Sequence, residues 1–127
     1  MTPEFLELAD VLYIHNDQIK RYGGDATLRD AGLLDSAVAM PRATFEGRFL
    51  HRDLFEMAAA YLFHIVQNHP FVDGNKRTGT AAALVFLEMN GITIEADEDA
   101  LVELVLKVAQ GRADKPRIAE FFRANHK

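Results

Sequence analysis

The run Leu54–Val66 is apolar on nearly every face of the helix that its spacing predicts. A helix of that kind lies inside a domain, with the rest of the chain wrapped around it. It is shorter than the ~20 residues a membrane span needs and carries His64 within it, which makes it a core helix. A second segment, Ala81–Leu87, is again apolar all round. Two buried helices therefore frame the stretch between them, His69–Arg77, which reads His-Pro-Phe-Val-Asp-Gly-Asn-Lys-Arg and leads into a helix expected from near Thr78.

The other elements follow from local signals. Thr2 and Pro3 form an N-cap and first-turn pair, and Phe5, Leu8, Ala9, Leu12 and Ile19 give a helical stripe expected to run to about Lys20, stopping at Gly23 and Gly24. From Asp30 the pattern Leu33, Leu34, Ala37, Val38 predicts a short helix ending near Met40, ahead of Pro41. Residues 43–52 show no helical period and have Gly47 in the middle, the pattern of a hairpin-like flap. Asp53 with Glu56 has capping-box spacing and opens the core helix, expected to reach about Gln67. Gly91 is placed as a C-cap, Ile92–Ile94 as a β-prone connector, Asp97 as the cap of a fifth helix that Gly111 ends, and Pro116 as the start of a sixth. With 127 residues, about half of them apolar, the chain can bury one core. The expectation is all-α: one domain over residues 1–127, of about six helices with a short flap.

Lysine and arginine total 14 against 19 acidic residues, and a net charge of -5 argues against a general nucleic-acid binder. Any polyanion site has to be local. The absence of cysteine excludes disulfides, a thiolate nucleophile and cysteine-ligated zinc. Glu4, Glu7, Asp10 and Asp17 interrupt the apolar positions of the first twenty residues, unlike a secretory signal, and no membrane segment is found, so a cytoplasmic location is expected.

The chemistry concentrates in His69–Arg77. A helix start presents free N–H groups and the positive end of the dipole, so Gly74–Thr78 is a natural anion site. Gly74 allows close approach, Lys76 and Arg77 add charge, and Asn75 offers a further donor. Asp73 is placed to hold Mg²⁺, which commonly bridges one carboxylate and nucleotide phosphates. The imidazole of His69 can take a proton from a hydroxyl. Base, metal holder and anion cradle are the parts of phosphate-transfer chemistry, and neither a P-loop nor a dinucleotide fingerprint occurs elsewhere in the chain.

His69–Arg77 resembles the signature of the Fic/Doc family, and its Asn-Lys-Arg-Thr ending is similar to the Doc branch, the death-on-curing toxins of toxin–antitoxin pairs. Arg21-Tyr22-Gly23-Gly24, Leu28-Arg29-Asp30, Gly32-Leu33-Leu34, Ala43-Thr44-Phe45 and Asp53-Leu54-Phe55 extend the likeness over nearly the whole chain. The resemblance implies a flap that guides a target's backbone, and an ATP- and Mg²⁺-dependent enzyme. In it His69 would be the general base, Asp73 the metal ligand, Asn75, Lys76 and Arg77 the phosphate contacts, and Phe71 the loop's anchor. AMP-transferring members of the wider family typically have glycine in place of Lys76 and a second arginine in place of Thr80. A lysine fills space that glycine leaves to a phosphate, and losing an arginine removes a bidentate clamp, so the expected reaction is kinase-type transfer of the γ-phosphate. By resemblance the target is a threonine of elongation factor Tu, and transfer arrests translation. No Ser/Thr-x-x-x-Glu-Gly/Asn self-inhibitory segment is present, so a separate antitoxin with a disordered segment that folds on binding is the expected control.

Plainer readings stand beside these. Asp73 or Asn75 can simply cap a helix, and Lys76 and Arg77 can be solvated charges. His64 reads as a core histidine; zinc shared with His69 is disfavoured because five helical residues subtend ~140°. His15, His51 and His126 read as surface or flap residues, and Asp97 with Asp99 as a helix N-terminus. Adenylylation is the first functional alternative, distinguished by which phosphate of ATP is transferred. A non-catalytic nucleotide- or protein-binding module is the second, distinguished by whether removing the His69 ring matters.

Overall fold

A computed structural model describes residues 2–127. The chain forms α1 (Leu8–Tyr22), α2 (Ala31–Ala39), a 3-10 turn (Met40–Arg42), strands β1 (Thr44–Phe45) and β2 (Arg48–Phe49), α3 (Leu54–Asn68), α4 (Asn75–Met89), α5 (Glu98–Ala109) and α6 (Lys115–Ala124). The expected all-α architecture holds.

Helix α3 is the axis. Every residue from Met57 to Leu62 is buried, as are Ile65 and Val66, and α2, α4, α5 and α6 pack around them. Its closest neighbour is α4, and Gly79 makes that possible. A Cβ there would sit 3.0 Å from Val66 Cγ2 and 3.2 Å from the Leu62 carbonyl oxygen. Phe86 of α4 lies against Tyr61 and Phe5, with ring centroids 5.1 and 5.8 Å away. Four helices open on the caps that short acidic side chains provide. Asp30, Asp53, Asp97 and Asp114 accept from the N–H groups of Leu33, Glu56, Ala100 and Arg117. Glu56 does not close a box with Asp53; it reaches one residue further, to the N–H of Arg52 at 3.1 Å.

The flap is a hairpin pairing Thr44 with Phe49 and Phe45 with Arg48. Glu46 and Gly47 both take positive φ in its two-residue turn, the geometry that matches strand twist. No helix of the described residues is long and apolar enough to cross a membrane.

The first helix departs from expectation. It starts at Leu8, with Glu7 and Asp10 forming the capping box, and Thr2–Pro3 caps nothing. Tertiary bonds overrule the local signal: the Leu6 N–H donates to Tyr61 Oη at 2.9 Å, and the Asn90 amide bonds both the N–H and the carbonyl of Glu4. The buried face is Val11, His15 and Ile19, while Leu8, Ala9 and Leu12 are exposed.

His51, expected at the surface or in the flap, is buried. His64 is the half-buried core histidine expected, and its pKa is pushed down to about 4, chiefly by burial. Glu56 acts on His51 in the opposite sense. The unfolded chain takes up the His64 proton near pH 6.5 and the folded one only near 4, so stability falls as pH drops through that window. After allowance for solvent screening the loss should be about 1–2 kcal/mol. Urea unfolding at pH 7 and pH 4.5 should show a smaller pH dependence in His64→Gln; equal dependence would remove His64 as the cause.

Candidate active site

The site is assembled where α3 ends and α4 begins. His69 is the C-cap of α3, left-handed at φ 50° and ψ 53°, a conformation that costs a non-glycine residue roughly 1 kcal/mol. Its neighbours hold it there. Arg29 forks onto two carbonyls at the helix end, Nε to His69 at 2.7 Å and Nη2 to Asn68 at 3.0 Å. The N–H groups of Arg29 and Asp30 both donate to the Pro70 carbonyl, and the Val72 N–H donates to Thr27. Residues 27–30 thus clamp the loop along its backbone.

Beneath the loop Phe71 is fully buried and stacked on His15, with centroids 3.6 Å apart and planes 6° from parallel. His15 Nε2 lies 2.8 Å from the Asp73 carbonyl, which can only accept, so the ring donates there. His15 is therefore a buried support of the loop, not the surface residue expected.

Helix α4 begins at Asn75, three residues before the expected Thr78, because Gly74 is its left-handed N-cap at φ 81°. Asn75, Lys76 and Arg77 are thus its first turn. The Thr78 N–H closes that turn onto the Gly74 carbonyl, leaving the three preceding N–H groups with no helical acceptor. The Asn75 side chain is committed elsewhere. Its Oδ1 accepts from the Phe71 N–H at 3.0 Å, and its Nδ2 donates to the Phe71 carbonyl at 2.9 Å and to His69 Nδ1 at 3.1 Å. Only its backbone N–H remains for an anion. Because the Phe71 backbone fixes which end of the amide is which, His69 Nδ1 is an acceptor. The neutral ring then carries its hydrogen on Nε2.

Helix α1 supplies the floor. A Cβ on Gly24 would fall 2.4 Å from Asp73 Oδ2, and one on Gly74 would fall 3.1 Å from Ile19 Cδ1 and 3.6 Å from Arg77 Nη2. The glycines let backbone, carboxylate and guanidinium meet. Arg77 also donates to the Gly23 carbonyl at 3.1 Å and lies 5.6 Å above the Tyr22 ring. Lys76 is exposed, and Thr80 turns back to donate to the Lys76 carbonyl. Asp73 is exposed, with Oδ1 accepting from the Gly74 N–H at 2.8 Å and Oδ2 making no hydrogen bond among the described residues. No three His, Asp or Glu side chains converge among those residues. The donor set fits an ion such as Mg²⁺ held by one carboxylate and by ligand phosphates, not a cage made by the protein alone.

The model of the Fic/Doc family matches residues 5–87, which span both helices, the clamp and the loop. The chain belongs to the Fic/Doc family. It is 42% identical over 118 residues to Toxin Doc of Mycolicibacterium smegmatis, covering 91% of this chain and 88% of the relative. It is 32% identical over 114 residues to Protein kinase doc of Escherichia phage P1, covering 90% and 89%. The Fic/Doc likeness thus runs through the flap and α5 as well as the loop. His15 and Arg29 are the supports that the loop's own residues do not announce. His15 carried one signal, its i, i+4, i+8 spacing with Val11 and Ile19; Arg29 stood in the Leu28-Arg29-Asp30 run of the family likeness, which gave it no role.

Proposed function

We propose that this Fic/Doc protein is a Doc-like toxin that transfers the γ-phosphate of ATP to a serine or threonine hydroxyl of a translation factor, elongation factor Tu by resemblance. The observation that carries the reading is the junction itself, with His69 at one helix end and, across the loop, Asp73, Arg77 and three free N–H groups at the next helix start. The N–H groups of Asn75, Lys76 and Arg77 bind phosphate oxygens, and Arg77 reinforces them. Asp73 Oδ2 would hold Mg²⁺, which when bound neutralises phosphate charge. His69 receives the hydroxyl proton. For Nε2 to accept it, Nδ1 must first exchange the Asn75 donor for a proton of its own, so the base form arises as Asn75 lets go. The relative named Toxin Doc supports the toxin reading, and the one named Protein kinase doc supports phosphate transfer over AMP transfer. So does Lys76, which fills the space a glycine would leave.

Labelled ATP tests the direction of transfer. Label from the γ-phosphate should appear on the target and label from the α-phosphate should not; the reverse would make the protein an AMP-transferase.

An antitoxin segment would fold as a helix in the groove of about 510 Å³ between α1, α4 and α5. Its apolar lining includes Leu84, Val102 and Leu106, and Lys76 and Arg77 also line it. Occupancy there would cover the phosphate contacts.

A further inference from the structure

Away from the loop, a second group of titratable side chains gathers where the flap returns to α3. Lys115, at the start of α6, places Nζ 3.3 Å from His51 Nε2 and 3.2 Å from His64 Nε2. Among the described residues no carboxylate lies within ion-pair distance of it, whereas Lys107 and Lys127 both have one. Lys115 and His51 line a cavity of about 480 Å³ whose wall includes Leu50, Arg52, Glu56 and Arg123.

Hydrogen-bond accounting distinguishes the two protonation states of this lysine. An ammonium has only donors, so both imidazoles must accept through Nε2 and carry their hydrogens on Nδ1. His51 Nδ1 is buried with no partner among the described residues, so that arrangement strands a buried N–H. A neutral amine can accept from His51 Nε2–H while donating to His64. What remains unpartnered on His51 is then a lone pair, the less costly orphan. Burial acts in the same direction, lowering the pKa of Lys115.

We propose that Lys115 is a nucleophilic lysine and an acylation site for small anionic acyl donors of the acyl-phosphate class. The amine attacks the carbonyl carbon, a C–N bond forms, and the C–O bond to phosphate breaks. Phosphate leaves with its electron pair, and the proton lost by nitrogen passes to His64 Nε2, which accepts from the amine, and then to water. Arg52 makes no side-chain hydrogen bond among the described residues and is available for the donor's phosphate, whereas Arg123 is held by Asp53 at 2.9 Å. None of the groups proposed for phosphate transfer at the loop takes part.

Competitive acetylation of the whole protein by limiting acetyl phosphate, read by peptide mass spectrometry, tests this. Lys115 should be modified about tenfold faster than the exposed Lys20, Lys76 and Lys127. A rate equal to or below theirs would overturn the proposal. Arg52→Gln should slow Lys115 severalfold with acetyl phosphate yet leave its reaction with uncharged acetic anhydride unchanged. An unaffected rate with acetyl phosphate would refute the anionic donor class, and NMR titration of the ¹³C-methylated lysines would show directly whether Lys115 is the first to lose its charge.

Discussion

His69→Ala should lower phosphate transfer by about 10²–10⁴-fold while leaving the protein folded and able to bind nucleotide. The ring is exposed and gives its neighbours one side-chain contact, the 3.1 Å bond from Asn75, so its removal should cost no more than about 1 kcal/mol of stability. The proposed anion cradle consists of backbone N–H groups and Arg77, none of which depends on the imidazole. Nucleotide affinity, read by titration calorimetry, should therefore change little. The variant should also lose toxicity on expression. A folded His69→Ala protein that stays fully toxic would sink the enzymatic reading in favour of inhibition by occupancy.

Asn75→Leu should do what His69→Ala does not, lowering both stability and catalysis. The substitution keeps roughly the side-chain volume but removes one acceptor and two donors from a buried position. The N–H and carbonyl of Phe71 would both be left without partners in the core, at a cost of about 2–4 kcal/mol. The loop that carries Asp73 would lose the brace that Asn75 gives the Phe71 backbone, and a misplacement of about 1 Å is enough to cost around 10²-fold in rate. Urea denaturation and single-turnover phosphate transfer measure the two effects. If activity fell while the unfolding midpoint stayed put, the amide would be a ligand contact and not the brace its hydrogen bonds describe.

The elements legible in the chain were those whose signals are local. The Asp53 and Asp97 caps, the hairpin-like flap around Gly47 and the all-round apolar character of α3 each depend on residues close together in sequence, and each formed as expected. The errors arose where a distant partner competed. The Thr2–Pro3 start lost to Tyr61 and Asn90, far along the chain. The stripe of Leu8 and Leu12 lost because residue type says only that a face is apolar, while the docking of His15 against Phe71 and Asp73 decides which face turns inward. Asn75 was legible as part of the site but not in its use. Its side-chain bonds depend on the path of the Phe71 backbone, which no spacing rule supplies.

The sequence by itself determined that a basic, glycine-opened helix start would follow a histidine between two buried helices, because composition and periodicity leave those segments no other place. It also determined the Fic/Doc likeness, carried by a contiguous motif. Only the tertiary structure decided how the histidine is held: left-handed at a helix end, its carbonyl gripped by Arg29 and its Nδ1 by Asn75. Only it brought His51, His64 and Lys115 from three elements to one point. The reason is the same in both cases. Hydrogen bonds between distant residues fix a ring's tautomer and a lysine's charge, and their geometry exists only once α1, α3, α4 and α6 have packed.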